Sequence, residues 1–422
     1  MNTLGIITEY NPFHYGHLYH LNKAKELTNS DTVICIMNGN FVQRGEAAIF
    51  DKWIRTKMAL ANGVDMVIEL PLVYGIRSAE YFASGAVSLL EKSRIVDFLV
   101  FGSESGEIRP LQEIAHFLSK ENKYYQKILK KYLSAGYPFP QARELAVKNH
   151  LELHPDNISI DISQLREVIS EPNNLLGIEY LKALKNLNSG LTPFTIKRKG
   201  SQYHDPGLQH KIASATAIRK RIYLGKTEDI KEYLPELSNI IIKDEITKGK
   251  FPINLDLLGM MIISTIRKHN RNTLSKFAEI NNGLENRIYN EAHQTADLKE
   301  LISNIKTRAF TWTRIQRNLL HILFDIKEND FALLDQYGVQ YLRILGIRKE
   351  RTDLLAKLKD KAELEIILNP SEYLNEINTD YKNPLIKSLS YDIMAGDIYS
   401  LLYNNPDYRK GHLDFTTPLI KY

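Results

Sequence analysis

The chain has a single cysteine, Cys35, among its 422 residues. That excludes an internal disulfide framework and a zinc site built from cysteines, and it points to a reducing compartment. Apolar runs are short, and none approaches the roughly 20 residues that a membrane helix needs. The opening MNTLGIITEYNPFHYGH has no basic segment followed by an apolar one, so a signal peptide is not expected. The expectation is a cytoplasmic protein with no membrane partner. Low-complexity segments and internal repeats are missing. So are a G-x-S-x-G nucleophile elbow and a Walker A lysine motif. Charge of one sign is scarce too: 55 Lys+Arg against 50 Asp+Glu leave a net +5. A balance this slight permits a nucleic-acid partner without requiring one.

What is present reads as a folded chain. Hydrophobic residues make up 43% and charged residues 25%, which argues against wholesale disorder. The length suggests two to four domains at roughly 100–200 residues each. Short apolar runs at Thr3–Ile7, Thr32–Met37, Val64–Leu70 and Val96–Phe101 read as buried strands. Helical segments lie between them: Gly16–Thr28, a helix from an Asp51 N-cap to about Asn62, and Ser78–Lys92. This alternation predicts an α/β fold with a parallel sheet covered on both faces. Residues from Pro110 to about Leu187 look mostly helical, with loops near Pro138 and at Pro155-Asp156-Asn157. Pro193–Arg198 suits a late strand, and Lys211–Leu224 a helix. After about Glu228 no strand is expected. Leu255–Lys268, Thr273–Tyr289, Asp297–Thr307, Thr311–Phe324 and Thr352–Leu358 have helical spacing. The division predicted is an α/β domain over 1–227 and an all-α domain over 228–422.

The strongest chemical signal is Asn11-Pro12-Phe13-His14-Tyr15-Gly16-His17, between the first strand and the first helix. A loop and helix N-terminus at the carboxyl end of a parallel strand form a natural phosphate site. Gly16 lets backbone approach a ligand closely. His14 and His17 can direct imidazole N–H groups at one anion and stabilise charge that develops there. The blander reading is a pair of histidines that only cap the helix.

This motif is similar to the His-x-Gly-His signature of the nucleotidylyltransferase superfamily. Further stretches carry a more specific resemblance: GIITEYNPFHYGHLYHL, NGNFVQRGEAAIFDKWIRTKMAL, VDMVIELP, FGSESG, EPNNLLGIEYLKAL and KRKGSQYHD. Together they resemble the tRNA(Met) cytidine acetate ligase family over most of residues 1–220, with looser similarity beyond. The resemblance implies a Rossmann-like, HIGH-type nucleotidylyltransferase domain that binds ATP, with Mg²⁺ accompanying it. It implies that acetate is activated as acetyladenylate and that the acetyl group passes to N4 of the wobble cytidine of elongator tRNA(Met). The chemistry suits the residues. A carboxylate attacking an α-phosphate needs positioning and charge neutralisation rather than a protein nucleophile. The rival enzyme is an adenylyltransferase acting on a small phosphorylated metabolite, which has no need of a large helical half. A third reading is an RNA-binding protein that senses ATP without turnover.

The catalytic expectation rests on His14, His17 and Arg44. Arg44 lies in the glycine-rich loop after the second strand, where a guanidinium can pair with a carboxylate or phosphate. Phe41 in that loop is a candidate wall for the acetate methyl group. Asp51 reads as an N-cap, and Lys52 and Arg55 as solvated residues of the first helical turn. ATP is expected along Ile7, Thr8, Glu9, Tyr10, Asn11, Pro12, Phe13, His14, Tyr15, Gly16, His17, Leu18, Tyr19 and His20. Gly102 joins them as bare backbone beneath adenine or ribose, Asn173 as an amide that can read adenine, and Arg198 as a phosphate partner. Nothing in the residue types excludes Asn174 in place of Asn173. Ser214-Ala215-Thr216-Ala217-Ile218-Arg219 weakly resembles the serine-rich helix start that holds phosphates in nucleotidylyltransferases, with alanine where a serine or threonine is expected. No residues are dedicated to a metal. Lys306, Arg308, Arg314 and Arg317 are candidate RNA contacts, because no acid lies between Ser303 and His321 and Phe310 and Trp312 are interleaved. Arg343, Arg348, Lys349 and Arg351 form a weaker second patch.

Overall fold

The computed structural model describes residues 2–120, 123–153, 168–198, 213–374 and 380–422. Its centre is a sheet in which β1 (Thr3–Thr8) runs parallel to β2 (Thr32–Asn38) on one side and to β6 (Phe98–Ser103) on the other. β5 (Met66–Leu70) extends the β2 side and β7 (Thr192–Lys197) the β6 side, both parallel. Every residue of β2 and β5 is buried. That is why both read as largely apolar runs rather than alternating ones, with Glu69 the charged exception in β5. The spatial order β5-β2-β1-β6-β7 reverses its direction of growth between β1 and β6. In open α/β sheets that switch opens a crevice at the carboxyl ends of the strands.

Two helices frame the crevice from the β1–β2 half. α1 (Tyr15–Thr28) follows β1, and α2 (Lys52–Ala61) follows β2 after a small hairpin of β3 (Phe41–Val42) and β4 (Glu46–Ala47). Asp51 caps α2 as expected, its carboxylate accepting from the Ile54 amide at 2.8 Å. Between β6 and β7 the chain makes the helices Ile108–Ser119, Lys123–Ser134, Phe139–Leu153 and Pro172–Asn186. The loop foreseen at Pro155–Asn157 lies outside the described residues.

Beyond Thr227 the chain is mostly helical, including Glu236–Thr247, Leu255–Arg267, Leu298–Ile305, Trp312–Leu323 and Glu328–Tyr337. The single helix foreseen over Thr273–Tyr289 is two, Arg271–Leu274 and Leu284–Ala292. Asn282 and Gly283 break it by taking positive φ angles of 57° and 82°.

The expectation of no strand after Glu228 is corrected. β8 (Tyr341–Ile347) pairs antiparallel with β5, and β9 (Glu365–Ile367) and β10 (Ile420–Lys421) pair parallel with β8. The segment YLRILGI has no polar alternation because all seven of its residues are buried. Its arginine is neutralised inside the protein, with Arg343 Nη1 3.1 Å from Glu69 and Nη2 2.5 Å from Asp414. Gly346 is needed because a Cβ there would lie 2.6 Å from the Thr56 methyl on α2. Among the described residues no helix is long and apolar enough to cross a membrane.

Candidate active site

The motif Asn11–His17 forms the turn from β1 into α1, beside the β1/β6 switch. Tyr10 takes a positive φ of 44°, and His14 becomes the N-cap of α1. The Gly16 amide donates to His14 Nδ1 at 3.0 Å, and the His14 amide donates to His17 Nδ1 at 3.3 Å. Both Nδ1 atoms therefore act as acceptors, so a neutral ring carries its proton on Nε2. The two rings stack with centroids 3.9 Å apart. Tyr10 and Phe13, both buried, pack against His17 at 4.9 and 5.7 Å. One nitrogen of each ring thus holds the turn, and the other carries the ring proton.

Electrostatics keep these rings neutral. Burial, then Arg198 and Arg219, lower the pKa of His14 to about 3. Burial and the neighbouring His14, Arg198 and His20 hold His17 well below the ordinary imidazole value, against an opposing hydrogen bond with the Pro12 backbone. Burial and Arg198 lower His20 to about 4. Neutral donors in a site rich in arginine can stabilise negative charge through hydrogen bonds that are already oriented.

Several expected residues converge around this turn. Gly102 ends β6 beneath Arg198, and a Cβ there would lie 3.1 Å from Arg198 Cγ. Glu104 just beyond it caps the helix Pro172–Asn186, accepting from the Asn173 amide at 3.2 Å and the Asn174 amide at 2.8 Å. Asn173 also donates to Glu104 through its side chain and remains partly exposed. Asn174 is buried, and its side-chain carbonyl accepts from the Glu104 and Ser105 amides at 2.9 and 3.2 Å. Asn174 is thus committed to the loop, while Asn173 keeps part of its side chain at the surface. Arg44 is exposed at the tip of the β3–β4 hairpin. Its charge reaches Glu9 and Arg198. Lys199 and Gly200 lie outside the described residues.

Some residues named from the sequence take definite places around this turn, and others lie elsewhere than expected. Arg219 is part of the site, its Nη1 donating to the Asn11 carbonyl at 3.0 Å. Glu9 is a carboxylate at the end of β1 that accepts from the Gln43 amide at 3.0 Å, and burial raises its pKa. Arg55 is not solvated: it is fully buried and donates to the carbonyls of Glu9 at 2.7 Å, Phe50 at 3.0 Å and Gly39. It ties the loop after β1 to the loop after β2, since one planar guanidinium can serve several carbonyls at fixed angles. Lys52 is buried too, 2.8 Å from Glu69 and 2.5 Å from Asp414. Phe41 packs in the core on Phe324 and Tyr399, at 4.9 and 6.1 Å, and is 1% exposed, so its ring belongs to the core rather than to a methyl pocket.

The four C-terminal cations separate. Lys306 and Arg308 are exposed, and Arg308 lies 4.2 Å over the Tyr137 ring. Arg314 is half-buried and donates to Asn281 at 2.9 Å. Arg317 stands where its helix meets the β3–β4 hairpin: a Cβ on Gly45 would be 2.5 Å from the Arg317 amide. Its Nε is buried. Phe310 is core, and Trp312 packs partly buried against it. In the second patch, Arg343 is buried, and Arg348 and Arg351 lie 3.6 and 3.5 Å from Asp65. Among the described residues no group of three or more His, Cys, Asp or Glu side chains can hold a metal ion.

A mostly parallel sheet with a His-x-Gly-His helix start at its switch point defines a nucleotide-transfer fold, and residues 1–414 match the HIGH Nucleotidyl Transferase family. The tRNA(Met) cytidine acetate ligase of Halothermothrix orenii is 51% identical over the whole of both chains. That of a Thermoanaerobacter species is 42% identical, again over the whole of both. The crystal structure of Thermotoga maritima TmcAL bound with alpha-thio ATP superposes with a TM-score of 0.92 at 34% identity, covering 100% of this chain and 99% of that one. The chain belongs to the tRNA(Met) cytidine acetate ligase family.

Proposed function

We propose that this protein is an ATP-dependent ligase that activates acetate as acetyladenylate and acetylates N4 of the wobble cytidine of elongator tRNA(Met), releasing AMP and pyrophosphate. The observation that carries the reading is the His14/His17 pair, neutral and locked by its Nδ1 acceptors at the start of α1. The names of full-length relatives supply the substrate class.

In this reading an acetate oxygen attacks the α-phosphorus, and the bond to the bridging oxygen of pyrophosphate breaks. His14 and His17 direct donors at the phosphoryl oxygens, where charge grows, and the positive end of α1 adds to them. Arg198, Arg219 and Arg44 neutralise the phosphates, and Arg44 is the group nearest solvent for the entering carboxylate. Gly102 and Asn173 face the nucleoside. The cytidine amine then attacks the acyl carbon, AMP leaves, and the amine loses its proton. Mg²⁺ would travel with the ATP phosphates, since the described residues offer it no cluster of ligands. ATP belongs to the part before Thr227, and the helical residues 228–422 contribute contacts to the RNA, in a cytoplasmic setting.

The test is acetate-dependent ATP–pyrophosphate exchange, followed by mass spectrometry of nucleosides from tRNA incubated with protein, ATP and acetate. Exchange with acetate and an acetylated cytidine are expected. Exchange that stays absent with every carboxylic acid would remove the ligase reading. AMP transfer to a phosphorylated metabolite would install the adenylyltransferase in its place.

A further inference from the structure

The helix Lys123–Ser134 has the sequence KYYQKILKKYLS, with no acidic residue. Lys123, Lys127, Lys130 and Lys131 are spaced i, i+4, i+7, i+8, so they share one helix face. All four are exposed. On the other side Tyr125 is buried, and Ile128, Leu129 and Tyr132 pack against the core. Among the described residues none of the four lysines has an ion-pair partner. Some exposed lysines elsewhere do find one, as in Lys23–Glu26, Lys231–Glu228 and Lys357–Asp353. Like charges at i,i+4 work against a helix, by a few tenths of a kcal/mol per pair. A stripe of this kind is stabilised when it meets an anion.

Its position says which anion. The insertion that carries this helix leaves the sheet at the end of β6, and Glu104 and Asn174 pin its base beside Gly102. One helix, Ile108–Ser119, separates the stripe from that rim, about 18 Å of chain at 1.5 Å per residue. Tyr137, just past the stripe, packs on Tyr132 at 5.6 Å and carries the Arg308 guanidinium over its ring. Arg308, from the other half of the chain, is therefore held at the C-terminal end of this helix. Phe139 is 50% exposed two residues further on, an apolar ring among cations on which a base can stack.

We infer that the lysine face of the helix Lys123–Ser134, with Arg308 held near the end of that helix by Tyr137, is a docking surface for the sugar-phosphate backbone of the RNA substrate. This rests on the tRNA-modifying reading above. The stripe spans about 12 Å, enough for two or three phosphates.

The experiment compares the full chain with the quadruple variant Lys123→Gln, Lys127→Gln, Lys130→Gln, Lys131→Gln. Glutamine keeps helix propensity close to that of lysine. A control variant, Lys357→Gln, Lys359→Gln, Lys361→Gln, removes exposed charge from the helix Asp353–Lys361. Binding of tRNA is measured by fluorescence anisotropy across a series of KCl concentrations, with acetate-dependent pyrophosphate exchange measured in parallel. The quadruple variant should bind tRNA about 20- to 100-fold more weakly near physiological salt, and its log–log salt slope should be shallower by about 1.4 to 2.7. Its exchange activity should match that of the unmodified chain, and the control variant should bind as the unmodified chain does. Unchanged affinity and slope in the quadruple variant would overturn the docking surface, as would an equal loss in the control. An unmodified chain that binds no tRNA at any salt concentration would instead remove the tRNA-modifying reading itself, and the surface with it.

Discussion

Each imidazole of the His14/His17 pair holds the turn through Nδ1 and, in the proposed function, offers its other nitrogen to a phosphate; the two roles separate experimentally. His17→Ala removes an oriented donor and should lower acetate-dependent pyrophosphate exchange by roughly 10²- to 10³-fold, with the fold retained by circular dichroism. An undiminished exchange rate would reduce His17 to a cap. The pKa directions make a further prediction. In the unfolded chain each imidazole titrates near 6.5, whereas folding holds His14 at about 3 and His20 at about 4. Below pH 6.5 the unfolded chain therefore binds more protons than the folded one at these sites, and they withdraw stability as the pH falls. Asp392 acts in the opposite sense, since burial and Glu69 push it up to about 7. The variant His20→Gln isolates one histidine. Its loss of stability between pH 7 and pH 5 should be smaller than that of the unmodified chain by about 1–2 kcal/mol. Identical losses in urea unfolding at the two pH values would contradict this.

At the scale of elements, the site depends on two loops held together by one buried side chain. Arg55 sits on α2 and donates to carbonyls in the loops after β1 and β2. Arg55→Lys keeps the charge but loses the fork. Exchange should fall about 10- to 100-fold through displacement of the loops, and stability by about 1–3 kcal/mol for the carbonyl left unsatisfied. Full activity in this variant would show that the loops hold themselves. Phe41 makes a contrasting case. Because its ring lies in the core, Phe41→Ala should cost about 3–5 kcal/mol in urea unfolding and leave the preference for acetate over butyrate unchanged. A changed preference would return Phe41 to the pocket.

For the whole molecule, the decisive feature is the return of the chain to its own sheet. Lys52 on α2, Glu69 on β5, Arg343 on β8 and Asp414 near the end of the chain form one buried ion network. Removing one member strands charges that cannot reach water. Asp414→Ala should destabilise the protein by about 3–5 kcal/mol, read as one cooperative shift of the urea transition. A transition in two steps, or no shift, would show that the parts fold apart. The four C-terminal cations divide along the same line. Neutralising exposed Lys306 and Arg308 should weaken RNA binding and spare activation. Neutralising Arg317 should disturb the hairpin that presents Arg44, and with it activation. Equal effects of the two changes on exchange would remove that distinction.

Local patterns settled much of this protein. The four sheet strands foreseen up to Phe101, the Asp51 cap, the late strand near Pro193 and the motif at the start of α1 are written in neighbouring residues, because burial on both faces and helix capping leave marks a few positions long; the β3–β4 hairpin is not. The resemblance in the quoted stretches carried the chemistry. What neighbours do not encode is which charge meets which. Lys52, Arg55 and Arg343 look solvated along the chain, and they are buried because Glu69, Asp414 and backbone carbonyls reach them from elements distant in sequence. Phe41 looks like a loop residue and becomes core because Phe324 and Tyr399 come to it. β8 escaped notice because an arginine interrupts its apolar run, and only the fold supplies the carboxylates that let it lie inside. Whether a polar side chain belongs to the surface or to the interior is decided by its partners, and these partners are brought together by the sheet.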